Sequence, residues 1–223
     1  MSKWWIAAAI VGVISGCNSA NKPQADGQPI DVNSDSIAEA PQAGIKSETY
    51  LAAGDLAASR GQAEKAAAQY EKAAKATPND PAVLKKLAMA YVNAGQRPQA
   101  IETWQQHLAA TKGADESYGS LGYAYELAGD PTSAEKTYRD GIARNPKGPL
   151  SRINYGLMLV RNSRVEEAVT QMSTVLQPHE VNYNVASVYE QMGRKDLATF
   201  YFRRSLECKA DFRPALQKLS MAK

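Results

Sequence analysis

Small, large and apolar positions recur in register along this chain from Ser47 onward. Each recurrence is anchored on an alanine five residues after a turn residue: Gly61 to Ala66, Gly95 to Ala100, Gly129 to Ala134, Ser163 to Ala168 and Gly193 to Ala198. The intervals are 34, 34, 34 and 30 residues, a period that marks a stacked array of one supersecondary unit. Other positions keep the phase. Before each turn come the pairs Ala53-Gly54, Leu87-Ala88, Leu121-Gly122, Tyr155-Gly156 and Val185-Ala186, followed three residues on by Ala57, Tyr91, Tyr125, Leu159 and Tyr189. Four residues after each alanine stands a large side chain: Tyr70, Trp104, Tyr138, Met172 and Phe202. Pro78 and Pro146 close two units, and Pro178, two residues early, closes a third.

These positions predict antiparallel helix hairpins. Glycine in the turn takes the left-handed conformation that ends the first helix without steric penalty. The small residue lets the two helices approach, and the large one fills the space beside it. A single hairpin leaves an apolar face exposed, so stability comes from stacking. Ser163 in place of glycine and the four missing residues between the fourth and fifth units are departures. They predict a second helix in the fourth hairpin, about Val165 to Leu176, that is a turn shorter, with a local change of pitch. After the fifth hairpin, Phe212, Ala215, Leu216 and Leu219 fall at i, i+3, i+4 and i+7, with Arg213, Gln217 and Lys218 opposite. Such a helix, with Pro214 in its first turn, covers the end of a stack with a polar outer face.

The phased pattern resembles the tetratricopeptide repeat over about 165 residues, three quarters of the chain. The resemblance implies an all-α, right-handed α-solenoid of about five helix hairpins plus a C-terminal capping helix. The units are expected at about 47–80, 81–114, 115–148, 149–178 and 179–210, with the cap at 211–222.

Ahead of the repeats the pattern changes. Met-Ser-Lys is followed by an apolar run from Trp4 to Ile14 and then Ser15, Gly16 and Cys17. A positive start and a short apolar run ending in small residues describe a secretory signal, whereas a bilayer-spanning helix needs about 20 apolar residues. Ile14-Ser15-Gly16-Cys17 resembles the lipobox of bacterial lipoproteins. That resemblance implies a signal peptide over residues 1–16, lipidation of Cys17 and acylation of its new amine, a firm hold on a bilayer. Asn18 in place of Asp is expected to sort the protein to the periplasmic face of the outer membrane. Residues 17–46 then form a lipidated cysteine and a disordered tether of Asn, Ser, Ala, Pro, Gln, Gly and Asp, too poor in apolar groups to fold. As a flexible chain it spans on the order of 30 Å.

Composition narrows the function. The 223 residues are 44% hydrophobic and 22% charged, ordinary for a globular domain. Basic and acidic residues number 26 and 23, a net charge of +3, without the clustered basic face that nucleic acid requires. No His-Glu-x-x-His helix, phosphate-cradling Gly-x-x-x-x-Gly-Lys loop or Gly-x-Ser-x-Gly elbow is present. The two histidines, His107 and His179, sit in different repeats without a neighbouring ligand, so no metal or other cofactor, no small-molecule substrate and no catalysis are expected. Cys208 reads as a small buried hydrophobe, and Glu166-Glu167 and Arg203-Arg204 as solvated helix faces. Lys85, Lys86, Arg97 and Lys112 against Glu102 give the second repeat a basic surplus, also read as a solvated face.

In tetratricopeptide-repeat proteins the first helices of successive hairpins line a concave groove, with positions 2, 5, 9, 12 and 13 of each unit pointing into it. The resemblance places Leu51, Lys85, Met89, Tyr123, Ile153, Leu157, Val160 and Tyr183 there, a largely apolar and aromatic groove. Certain co-chaperones of the family grip a C-terminal carboxylate with Lys and Asn at such positions. Lys85 matches one clamp lysine, but Met89 stands where the asparagine is needed, so that mode is not expected. A tethered solenoid with an apolar groove resembles, in layout, the pilotin lipoproteins of type IV and tight-adherence pilus systems, which bind a secretin segment. The implied partner is another envelope protein. The alternatives are an adaptor for peptidoglycan enzymes, a subunit of outer-membrane protein assembly, and a substrate-capturing lipoprotein serving an enzyme complex.

Overall fold

The computed structural model describes residues 46–221. The signal sequence, the lipidation site at Cys17 and the tether up to residue 45 lie outside the described residues. Those described form eleven helices and no strand. Five hairpins follow one another: α1 (Ser47–Ser59) with α2 (Ala63–Ala76), α3 (Pro81–Asn93) with α4 (Arg97–Ala110), α5 (Asp115–Ala128) with α6 (Pro131–Arg144), α7 (Pro149–Arg161) with α8 (Val165–Met172), and α9 (Pro178–Gln191) with α10 (Lys195–Cys208). The last helix, α11 (Arg213–Met221), packs on α10. Each second helix also packs on the first helix of the next hairpin, which makes the stack an α-solenoid.

The turns are one motif used five times. Gly61, Gly95, Gly129, Ser163 and Gly193 all have positive φ, between 62° and 80°. At each, the N–H of the following residue donates to the carbonyl five residues back: Gln62 to Ala57, Gln96 to Tyr91, Asp130 to Tyr125, Arg164 to Leu159 and Arg194 to Tyr189, at 2.8–3.0 Å. This Schellman pattern satisfies carbonyls that the helix end would otherwise leave open. Ser163 therefore keeps the geometry of the glycines it replaces and carries the strain of a left-handed L-residue. Ser163→Gly is expected to stabilise the protein by about 0.5–1 kcal/mol, the strain removed less the added entropy of the unfolded chain. A rise in Tm of a few degrees in thermal unfolding is the expected result, and an unchanged or lower Tm contradicts it.

Helix starts are set with equal economy. Asp80 accepts from Ala82 N (2.8 Å) and Asp130 from Ser133 N (3.0 Å), each ahead of a proline at the first helical position. Between the helices, each large residue fills the space its small partner leaves. Tyr70, Trp104, Tyr138, Met172 and Phe202 are all buried, at 0–4% exposure. They sit sixteen residues after Gly54, Ala88, Gly122, Gly156 and Ala186, and a Cβ built on Gly54, Gly122 or Gly156 would lie 2.6 Å from an atom of its partner.

Four sequence expectations change. The second helix of the fourth hairpin stops at Met172, four residues before Leu176, because residues 173–175 turn, with Val175 N and Leu176 N donating to Met172 O, to reach α9. Pro178 does not close the fourth unit; it opens α9 at the first helical position, where a missing N–H costs nothing. Leu216 is 45% exposed: α11 buries only a narrow stripe centred on Ala215, and among the described residues no further hairpin covers the flank. Cys208 is likewise exposed. It ends α10, beyond Ser205, the last buried residue of that helix, and its sulfur accepts from Asn182 Nδ2 at 3.8 Å.

Candidate functional site

The residues predicted to line the groove all fall on first helices, in differing states of burial. Met89 on α3 is 46% exposed, while Leu51, Lys85, Tyr123 and Ile153 are half-buried. Leu157 and Tyr183 pack against the core, Tyr183 with its ring 5.4 Å from Phe202 and 5.5 Å from Phe212. Val160 is withdrawn altogether: it is fully buried in the core with Met158 and Leu159 and offers a partner no surface. Val160 lies three residues on from Leu157, at a helical rotation that turns it further into the core.

A tighter geometry than the sequence suggested joins α5 to α7. Gly119 on α5 lies under Leu150 of α7, where a Cβ would stand 3.0 Å from the Leu150 Cβ. Asn154 Nδ2 donates to Gly119 O (3.1 Å), and Asp115 accepts from Leu150 N (2.8 Å) and Ser151 N (3.1 Å), capping α7 from a helix one repeat away. Leu150, 39% exposed, thus stands on α5 between the turns carrying Glu116 and Tyr123. The sequence reading omitted Leu150, although it occupies the second position of its unit in the same register that selected the others.

Charge on this face is paired across hairpins. Lys86 on α3 meets Asp55 on α1, Lys85 meets Glu116 on α5, Arg161 on α7 meets Glu126 on α5 at 2.6 Å, and Lys218 on α11 meets Glu190 on α9 at 2.6 Å. The remaining basic residue of the first helices, Arg152, donates to Pro146 O and Gln171 Oε1, both at 2.8 Å. The basic surplus of the second repeat is therefore not wholly a solvated face: Lys85 and Lys86 are tied to neighbouring units. Among the described residues, the Tyr123 hydroxyl has no partner; burial pushes it above the ordinary tyrosine range, beside Arg161 and Glu126.

Buried tyrosines meet carboxylates elsewhere in the stack. Tyr155 donates to Glu135 (2.7 Å), which also receives Arg164 Nη1 (3.0 Å) and Arg139 Nη2 (2.7 Å). The Tyr155 hydrogen bond first, and the two guanidiniums with it, hold the Glu135 carboxyl below its ordinary 4.5. His107, buried against Trp104 and bonded to Ser117 Oγ at 2.8 Å, is held below its ordinary 6.5 by burial. Both folded values are depressed, so both contributions are present above the unfolded values and lost as pH falls. Stability should hold near neutrality, decline as pH drops through about 6.5 on account of His107, and decline more steeply below about 4.5. In a Tm-against-pH series, Glu135→Gln should flatten the acid limb; an unchanged limb contradicts the assignment.

Among the described residues, no group of three or more His, Cys, Asp or Glu could hold a metal ion. An open cleft of about 480 Å³ between α6 and α7 is lined by Pro131, Glu135, Arg139, Met158 and Asn162 among others, with Glu135 and Arg139 already engaged. No described helix is long and apolar enough to cross a membrane.

Comparison with known proteins accords with this architecture. Among solved structures, the chain is similar to a thermophilic tetratricopeptide-repeat protein of Thermus thermophilus, at 22% identity and a TM-score of 0.57, covering 79% of this chain and 98% of that one. It is similar to the protein MamA at 25% identity and a TM-score of 0.52, covering 70% and 94%. MamA from Desulfovibrio magneticus RS-1, residue 41 to its end, gives 17% identity and a TM-score of 0.56, covering 76% and 98%. No curated protein matches significantly. A family model of the tetratricopeptide repeat matches residues 26–181 and a second matches 179–212, so the chain belongs to the tetratricopeptide-repeat family, whose members serve as protein–protein interaction scaffolds and are typically not enzymes.

Proposed function

We propose that this protein is a lipid-anchored scaffold of the bacterial outer membrane that holds a peptide or helix of another envelope protein on its first-helix face. The observation that carries the reading is that Met89 on α3 and Leu150 on α7 stand exposed, with Tyr123 of α5 half-buried, on three successive first helices. An apolar strip along parallel first helices suits an amphipathic helix or extended peptide, with Met and Tyr as adaptable anchors. The Ile14-Ser15-Gly16-Cys17 sequence supports anchoring through lipid on Cys17. Assistance to secretin or pilus assembly is the favoured role. An adaptor for peptidoglycan enzymes or outer-membrane protein assembly is the alternative, on the same strip.

Three measurements test this. Metabolic labelling with an alkyne fatty acid should mark the wild type and leave Cys17→Ser unmarked; equal labelling removes the anchor. Affinity capture of the full chain from detergent-solubilised envelopes should recover a secretin for the first role, or peptidoglycan hydrolases or synthases for the second. Met89→Glu combined with Tyr123→Ala should abolish that recovery while the circular dichroism stays helical. Undiminished recovery from a folded variant places the partner elsewhere.

A further inference from the structure

The chemistry of the bound segment can be read from the charges that flank the strip. Every Lys and Arg on the first helices α1, α3, α5, α7 and α9 already has a partner within the chain. Lys85 and Lys86 are paired with acids of adjacent hairpins, Arg161 with Glu126, and Arg152 with a carbonyl and an amide oxygen. The Lys85–Glu116 and Arg161–Glu126 pairs bind adjacent units to each other, and their acids bracket Gly119, which lies under Leu150, and Tyr123 along α5. A ligand carboxylate laid here finds Lys85 and Arg161 already paired with acids and Arg152 turned to Pro146 and Gln171, so it must displace Glu116 or Glu126 to gain a paired cation, and Glu126 is only 13% exposed. Displacing Glu126 leaves a largely buried carboxylate without its guanidinium, and displacing the half-exposed Glu116 only exchanges one surface ion pair for another, so neither brings a net gain. Among the described residues the Tyr123 hydroxyl has no hydrogen-bond partner, which leaves it an open polar group on the strip.

Resting on the groove reading above, we propose that the ligand is the apolar side of a segment that brings no charge into the strip. Neither a terminal carboxylate nor an acidic side chain is read there, and the Tyr123 hydroxyl donates to a ligand carbonyl. The Lys85–Glu116 pair is the discriminating element: it keeps the one lysine at a clamp position closed. The consequence is an interaction that salt hardly touches, because apolar burial is not screened and the flanking charges neutralise each other.

The test uses the full-length chain and a fluorescein-labelled helical peptide of about 14 residues, roughly four turns, with Leu at i, i+3, i+4 and i+7 and Gln elsewhere. It is made once with a C-terminal amide and once with a free carboxylate. The wild type should bind both forms with affinities within about twofold of each other, nearly constant from 0.1 to 1 M NaCl. Glu116→Gln, which opens Lys85, should create a several-fold preference for the free carboxylate that high salt removes. A wild type that prefers the carboxylate about tenfold, or whose affinity falls steeply with salt, overturns the proposal. Binding of neither peptide overturns it as well. Binding that Met89→Glu leaves unchanged shows instead that the groove reading has failed, which separates the two ideas.

Discussion

Tyr138→Ala is expected to cost about 3–5 kcal/mol, the range for deleting a buried aromatic ring, and to lower Tm by roughly 10 °C or more. Tyr138 is fully buried between α5 and α6, with its ring against Gly122 and its hydroxyl donating to Glu126 Oε1 at 2.6 Å. Glycine at 122 cannot collapse into the space that alanine leaves, so the cavity persists. The damage also spreads to the next unit, because the same Glu126 receives Arg161 Nη2 from α7 and would lose its second partner. Burial first, and the neighbouring Glu126 after it, push the Tyr138 hydroxyl far above the ordinary tyrosine range, so it remains a donor at any working pH. Tyr138→Phe keeps the ring and removes only the donor, with a smaller loss of about 1–2 kcal/mol. Urea unfolding of the three proteins checks the order; a Tyr138→Ala loss below that of Tyr138→Phe contradicts it.

What the sequence discloses here is whatever recurs at a fixed distance along one hairpin. The left-handed turns at Gly61, Gly95, Gly129, Ser163 and Gly193 and the small-to-large contacts such as Gly122 with Tyr138 repeat in phase, and the helix pairs follow from them. What it hides depends on the neighbouring unit or on the lack of one. Val160 and Leu157 share a helix and an apolar character, and only the packing of α7 on α8 and α9 decides which of them is buried. Leu216 and Cys208 are exposed because the described stack ends there, a circumstance no local pattern records. The cross-hairpin ion pairs are hidden for the same reason, although one signal was available. Asp55 with Lys86, Lys85 with Glu116, and Glu126 with Arg161 are opposite charges separated by 31, 31 and 35 residues, close to one repeat. Stacking brings residues one repeat apart face to face, so complementary charges at that spacing are candidates for such pairs. Leu150 falls to the same rule, lying over Gly119 thirty-one residues earlier.

Gly122→Ala should destabilise the protein by about 1–3 kcal/mol, although alanine is the better helix former by nearly 1 kcal/mol. A Cβ at 122 lies 2.6 Å from Tyr138 Cδ1 and closer still to the next ring atom, inside any real contact distance. The equivalent positions in the second and fifth hairpins carry Ala88 and Ala186 opposite Trp104 and Phe202, so the architecture accepts a methyl group when the facing ring is free to settle around it. Tyr138 is not free, since its hydroxyl is bonded to Glu126 and Glu126 to Arg161. The cost is therefore expected to arise from a ring held at both ends, and Tyr138→Phe should relieve part of it. In a double-mutant cycle the pair should lose less stability than the sum of the single variants, by about 0.5–1 kcal/mol. Strict additivity would mean that the methyl group strikes the helix backbone, not a tethered ring, and that the Glu126 bond plays no part in holding α5 and α6 at their separation.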